Sequence, residues 1–223
     1  MGSEISVTSL TPKERQDLET IVNGYEGIGG FNPKDGRYYP YHGKADRPKD
    51  ITIFKGHLLS QEDITTGKYS KGITAEEGER LFKADLKVRE TRVLTTGKFN
   101  PKNGREAVAI ISSLYNCPSM WEWSNSPRNY YAKYLTGGFN SIGGIKLNLL
   151  NCCKYMMMYH NSNGKPQLGL YRRRATEVLY MLTGVVLLGN KDLAQEIKLF
   201  KELRRLGVDL SGMSKFKMRK GVT

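Results

Sequence analysis

The chain predicts an α+β fold in which helix predominates, and three observations carry that reading. Capped helix starts stand at Thr11–Glu14 and again at Gly72–Glu77. Between them lies a stretch rich in Gly, Pro, Tyr and Lys that shows no helical period. Beyond it, apolar residues return at helical spacing and persist nearly to the C-terminus.

The first helix is set by Thr11-Pro12-Lys13-Glu14. Threonine can cap, proline fits the first turn, and glutamate three places on can close a capping box. Leu18, Ile21, Val22 and Tyr25 then recur on one face, and Asn23-Gly24 and Gly27 signal the end. Glu26 therefore falls at or just past the C-terminus, where the helix dipole disfavours a carboxylate. A residue kept against that cost reads as retained for use.

From Ile28 to Asp50 the composition predicts turns and short strands. F-N-P-K-D-G-R (31–37) recurs as F-N-P-K-N-G-R (99–105), each with a Pro-Lys-(Asp or Asn)-Gly turn tetrapeptide. Seven residues are too few for a repeat architecture, so the recurrence reads as turn chemistry used twice. The next helix has Thr74 and Glu77 as its capping pair, with Ile73, Leu81, Phe82 and Leu86 on the buried face. Ala107 to Tyr115 is apolar on all sides, as a fully buried helix requires. Lys146 to Tyr159 and Arg172 to Thr183 predict two more helices, joined by a loop from His160 to Gly169. Leu193, Ile197, Phe200 and Leu203 mark a last helix within Lys191 to Leu206. The basic end after Gly207 is expected to be mobile.

The 223 residues are 39% hydrophobic and 26% charged, enough to bury a substantial core. A net charge of +13 favours anionic partners, whether nucleic acid, acidic wall polymers or anionic membranes, and does not choose among them. Cys117, Cys152 and Cys153 have the spacing of neither a metal knuckle nor a disulfide framework, so reduced thiols are expected and no metal site. No basic-then-apolar leader opens the chain, and no signal peptide is expected. The longest apolar run, around Tyr180 to Leu188, is interrupted by Thr183 and Gly184 and is too short for a membrane span. Gly27-Ile28-Gly29-Gly30 lacks the spacing and the Gly-Lys-(Ser or Thr) of a phosphate loop.

Glu26, Asp46 and Thr52 are the residue types that acid–base hydrolysis of a glycosidic bond needs. One carboxyl protonates the leaving oxygen, while the other side chains hold and activate water on the opposite face. Read from the residues alone, Asp35, Asp46 and Asp50 can equally belong to turns.

Context adds more. Tyr25-Glu26-Gly27, Asp46, and Thr52-Ile53-Phe54-Lys55-Gly56-His57-Leu58-Leu59 stand in order, with six positions from Asp46 to Thr52. Ile73-Thr74 through Leu81-Phe82-Lys83-Ala84-Asp85 comes next, and then Gly169-Leu170-Tyr171-Arg172-Arg173-Arg174-Ala175-Thr176-Glu177-Val178-Leu179. Together these resemble the phage lysozyme family (glycoside hydrolase family 24), over roughly residues 11–184. There are two departures: the Glu26–Asp46 gap is longer than the family's, and Phe54 stands where the family has glycine.

The resemblance implies a two-lobed fold, mainly α, with a small β-hairpin lobe and a larger helical lobe. It places a lysozyme domain over residues 1–184, with the hairpin lobe about 27–70 and the helical lobe about 90–184, and leaves 185–223 as a basic helical extension. Glu26 takes the general-acid place; Asp46 and Thr52 take those that hold the water and the developing positive charge. Asp35 and Asp50 stay open as alternatives to Asp46, because the hairpin is enlarged. His57 and Asp85 are implied to form a structural pair, and the arginines with Glu177 to be structural. Leu58, Tyr115, Asn116, Ser126 and Asn151 fall at substrate-binding places.

The implied activity is that of an inverting muramidase that cleaves the β-1,4 bond between N-acetylmuramic acid and N-acetylglucosamine, with no cofactor. A phage endolysin is the implied setting: a monomer made in the host cytoplasm that reaches the wall through a holin. Bacterial peptidoglycan is then its partner, with anionic envelope polymers attracted by charge and no nucleic acid expected. A virion-carried lysozyme and a non-catalytic basic module that binds wall polymer or nucleic acid are the alternatives.

Overall fold

A computed structural model describes residues 7–42, 50–96, 99, 101–118, 141–142, 145–146, 148–162 and 164–222. The chain divides into two compact units, Glu26–Val88 and the combination of Met1–Tyr25 with Arg89–Thr223. The architecture is α+β with helix predominant, as the sequence predicts.

The smaller, hairpin unit begins with β1 (Phe31–Asn32) and β2 (Arg37–Tyr38), an antiparallel pair around the Asp35-Gly36 turn. A three-stranded antiparallel sheet comes next, in the order β3 (Tyr41–His42), β4 (Ile51–Ile53), β5 (His57–Leu58). Thr52 lies on the central strand, opposite Tyr41 on one side and Leu58 on the other. Ile53, Phe54, Leu59, Tyr69 and Ile73 form the core of this unit, with Tyr38, Ile51 and Leu81 packed against them. A short helix the sequence did not announce, α2 (Gln61–Thr65), is closed by a reciprocal capping box between Ser60 and Asp63. The unit ends within α3 (Ala75–Thr95), whose start is fixed by the expected Thr74–Glu77 pair: Thr74 N–H donates to Glu77 at 2.7 Å and Glu77 N–H to Thr74 at 3.1 Å.

The helical unit contains α1 (Pro12–Tyr25), α4 (Gly104–Asn116), α5 (Leu149–Met157), α6 (Leu168–Thr183) and α7 (Leu193–Arg205). The box at the start of α1 is present: Thr11 N–H donates to Glu14 at 2.8 Å, and Glu14 N–H to the Thr11 hydroxyl at 3.3 Å. Helix α4 is buried from Glu106 to Leu114 and packs against α1 and α6. Each of its fully buried Val, Ile or Leu side chains stabilises the fold by about 1.5–3 kcal/mol. Cys152 and Cys153 are wholly buried on α5, whereas Cys117, at the C-cap of α4, is partly exposed.

Several boundaries differ from expectation, each for a local reason. The heptapeptide that recurs does two different jobs. At 31–37 it turns a hairpin, but at 99–105 its Asn103 caps α4, accepting from Glu106 N–H at 3.0 Å. The apolar run after Arg105 supplies a helix to cap; the Tyr38-Tyr39-Pro40 after Arg37 does not. Helix α5 begins only at Leu149, because Asn148 caps it and Ile145–Lys146 forms a strand, β7, with β6 (Ser141–Ile142). The expected loop from His160 contains a hairpin, β8 (Asn161–Ser162) with β9 (Lys165–Pro166), and α6 starts four residues earlier than expected, at Leu168.

The basic end is not a loose tail. Val222 is 1% exposed, and its carbonyl accepts from Arg204 at 2.8 Å. Arg219 meets the fully buried carboxylate of Glu196, which also takes Arg172 Nε at 2.6 Å. Glu196 is thus a buried charge flanked by two guanidinium groups, and satisfying it holds the chain end in place. Composition could not show this, since the partners come from α6, α7 and the terminus together.

Candidate active site

The candidate site grows out of the sheet of the hairpin unit. Glu26 directly follows the last residue of α1 and is half-buried. Three residues on, Gly29 N–H donates to the Phe54 carbonyl at 2.9 Å, so the segment after Glu26 is bridged to the residue that follows β4. Thr52 stands two positions before that bridge, on the central strand. Asp46 and Ser126 lie outside the described residues, Asp46 in the chain between β3 and β4. Leu58, 56% exposed, is the direct register partner of Thr52.

The turn between β4 and β5 requires two left-handed residues. Gly56 takes φ +79° at no steric cost, but Phe54 takes φ +57°, where a side chain costs about 1–2 kcal/mol. Burial offsets that cost. Phe54 is 2% exposed, meets Tyr38 edge-on at 4.7 Å, and lies against Gly78 of α3. Burying such a ring stabilises by about 1.5–3 kcal/mol. The backbone shape expected of glycine is therefore present with phenylalanine in its place.

His57 comes directly after this turn. Its Nδ1 lies 3.0 Å from Asp85 Oδ2, so the structure brings the expected pair together within one unit. A carboxylate can only accept, so Nδ1 carries the hydrogen. The pair ties β5 to α3.

Sequence reasoning missed Lys55. Its side chain is 9% exposed, its ammonium is paired with Glu79, and it sits 5.2 Å from the Phe54 ring centre and 4.9 Å from that of Phe82. Glu79 and Phe82 share one helix face at i and i+3, which was the signal available. Lys55 thus braces the same turn from below.

Asp35 belongs to the β1–β2 turn. Its oxygens accept from Arg37 N–H at 3.0 Å, from the Tyr39 hydroxyl at 2.8 Å and from Asn32 at 3.1 Å. The Tyr39 hydroxyl, then the Arg37 amide, hold its carboxyl below the usual carboxylate range. Asp50 immediately precedes β4.

The remaining candidates are in the helical unit. Tyr115 has the Arg89 guanidinium 4.6 Å from its ring centre. Asn116, the last residue of α4, accepts from Arg174 at 2.7 Å. That arginine and Arg173 are buried around Glu177: Arg173 Nε donates to it at 3.1 Å, Arg174 also donates, and the Ser112 hydroxyl donates at 2.7 Å. Asn151 sits in the first turn of α5, its N–H bonded to the Asn148 cap at 2.9 Å. A cavity of about 230 Å³ in this unit, lined by His160, Tyr171 and Asp209 among others, contains none of the candidate residues. Among the described residues, no group of three His, Cys, Asp or Glu has the placement of a metal site, and no helix is long and apolar enough to cross a membrane.

The hairpin unit thus carries Thr52 and the His57–Asp85 pair, and the helical unit carries the buried Glu177 cluster. Residues 35–177 match the phage lysozyme family, and the chain belongs to that family. The match covers Asp46, Thr52, His57 and Asp85 but starts after Glu26. Among solved structures, an endolysin from Escherichia coli O157:H7 phage FAHEc1 is similar at a TM-score of 0.51 and 20% identity, over 82% of this chain and 99% of that one. At that identity the likeness concerns the fold. No curated protein matches. The family is one of glycoside hydrolases that act on peptidoglycan.

Proposed function

We propose that this chain is a phage endolysin acting as a muramidase, cleaving the β-1,4 bond between N-acetylmuramic acid and N-acetylglucosamine. The observation that carries the reading is the Gly29–Phe54 bridge, which ties the segment after Glu26 to the end of the strand that bears Thr52. Glu26 gives its proton to the leaving oxygen. Asp46 and Thr52 hold water on the opposite face, in an inverting displacement with carboxyls about 6.5–9.5 Å apart. The enzyme is made in the host cytoplasm and passes to the wall through a holin. There its +13 charge concentrates it on an anionic envelope.

The test is lysis of purified wall, with analysis of the new reducing ends and their anomeric form. Glu26→Gln keeps the shape but lacks the useful proton, so a loss of about 10²–10⁴-fold is expected. Asp46→Asn and Thr52→Ala are also impaired. Asp35→Asn, altered in a turn, lyses normally. A lytic Glu26→Gln, or a dead Asp35→Asn beside a healthy Asp46→Asn, overturns the assignment. Binding without any release of reducing ends by the unaltered protein would make it a non-catalytic wall module.

A further inference from the structure

Helix α1 ends at Tyr25, and the next residue is the proposed general acid. A helix end is a poor anchor, because its last carbonyls lack partners within the helix and the final turn frays. Here the partners come from the C-terminal extension. The Asn190 side-chain amide donates to the Gly24 carbonyl. The Tyr25 hydroxyl accepts from Gly189 N–H at 3.0 Å, and it reaches Thr176 Oγ1 at 2.7 Å and the Arg172 carbonyl at 3.0 Å. Thr176 gives its own hydrogen to the Leu187 carbonyl at 2.6 Å, so the single phenol hydrogen of Tyr25 is shared between Thr176 and the Arg172 carbonyl. Leu188 covers Gly24 so closely that a Cβ there would come within 2.7 Å of its methyl group.

These residues are held in turn. Leu188 N–H donates to Gln195 at 3.1 Å, and Arg219 donates to the Gly189 carbonyl at 3.3 Å. Arg219 is itself fixed on buried Glu196. The chain from Leu188 to Asn190 is thus a strap across the last two residues before Glu26, buckled by α7 and the terminus.

We infer that this strap positions the general acid, with Tyr25 and Asn190 as positioning residues that act through the backbone of Glu26. The inference rests on the proposed role of Glu26 as general acid. General acid catalysis depends on placement, and a misplacement of about 1 Å from a change away from the chemistry can cost about 10²-fold.

The experiment uses the full chain, with Tyr25→Phe and Asn190→Ala made singly and in a Glu26→Gln background. Rates on soluble wall fragments are measured over a range of pH, at a temperature where melting curves show every variant folded. Asn190 is exposed, so its variant folds even if Tyr25→Phe does not. The expected result is a fall in kcat of about tenfold to a hundredfold with KM unchanged, and no further loss once Glu26 is already Gln. A purely structural role would lower the melting temperature and leave kcat of the folded enzyme intact. An inactive Glu26→Gln beside full kcat in Tyr25→Phe or Asn190→Ala overturns the strap alone. So does an equal further loss in the Glu26→Gln background. A fully lytic Glu26→Gln overturns the acid assignment, and the strap with it.

Discussion

Phe54 and Gly78 are fitted to each other: a Cβ built on Gly78 would stand 2.5 Å from the Phe54 ring. Alanine in the helix interior normally gains about 1 kcal/mol over glycine. Here the ring is buried and held in a left-handed turn, so it cannot yield, and overpacking of this kind costs about 1–3 kcal/mol. Gly78→Ala should therefore lower stability, and in a Phe54→Gly background the same alanine should raise it. Urea midpoints of the four proteins test this; a stabilising Gly78→Ala in the parent chain refutes it.

Glu177 is paired with two arginines in the interior of the helical unit, and all three side chains are 2% exposed or less. Removing its charge takes a buried carboxylate away from both guanidinium groups. Glu177→Gln should cost about 3–5 kcal/mol in chemical denaturation. A change within the scatter of surface substitutions would show that the cluster is not a rigid support.

Tyr25 gives a pH dependence. Burial pushes its phenol up to about 12, with the Thr176 hydroxyl and the Gly189 amide acting the other way. The folded state therefore prefers the neutral form. Its contribution to stability is whole below the ordinary tyrosine value of about 10 and is lost as pH rises through about 12. Burial also raises Tyr171 and Tyr180 well above the ordinary range. Alkaline unfolding should release these tyrosinates together, and Tyr25→Phe should make the loss of stability above pH 10 shallower. Unfolding monitored by tyrosinate absorbance would contradict this if the two proteins gave the same alkaline slope.

The buried Glu196 predicts how the terminus behaves. Arg219→Ala leaves that carboxylate with Arg172 and removes the bonds to Gly189 and Asp192. Trypsin cleavage after Lys215 and Lys217, sites that both proteins keep, should become faster, while cleavage outside the terminus is unchanged. Equal cleavage rates at those two sites in both proteins rule out the anchoring role.

The legible part of the sequence was whatever is decided within a few residues or fixed by a motif. Thr11 with Glu14 and Thr74 with Glu77 bond as their spacing says, because a capping box is closed within four positions. The His57–Asp85 contact was implied by the family resemblance and is present at 3.0 Å. The illegible part depended on distant partners. The two copies of the Phe-Asn-Pro-Lys heptapeptide differ in outcome because one leads into an apolar helix and the other into Tyr-Tyr-Pro. Phe54 takes a glycine-like backbone because residues from Tyr38 to Gly78 enclose its ring. Lys55 looks like surface and is buried, and the basic terminus looks loose and is clasped. In the candidate site, Asp35 was open to either role, and its three bonds within the β1–β2 turn come from Asn32, Arg37 and Tyr39, which lie within four positions of it.

The placement of the three cysteines has a consequence for labelling chemistry. Only a thiolate attacks a maleimide. Burial pushes the Cys153 thiol up to about 12 and carries Cys152 further still, beyond the reach of reagents at neutral pH. Cys117 is partly exposed, at the end of α4. The unaltered protein therefore offers a single conjugation position, next in sequence to Asn116. A fluorophore placed there would sit beside the Asn116–Arg174 contact at the end of α4, with no cysteine added or removed.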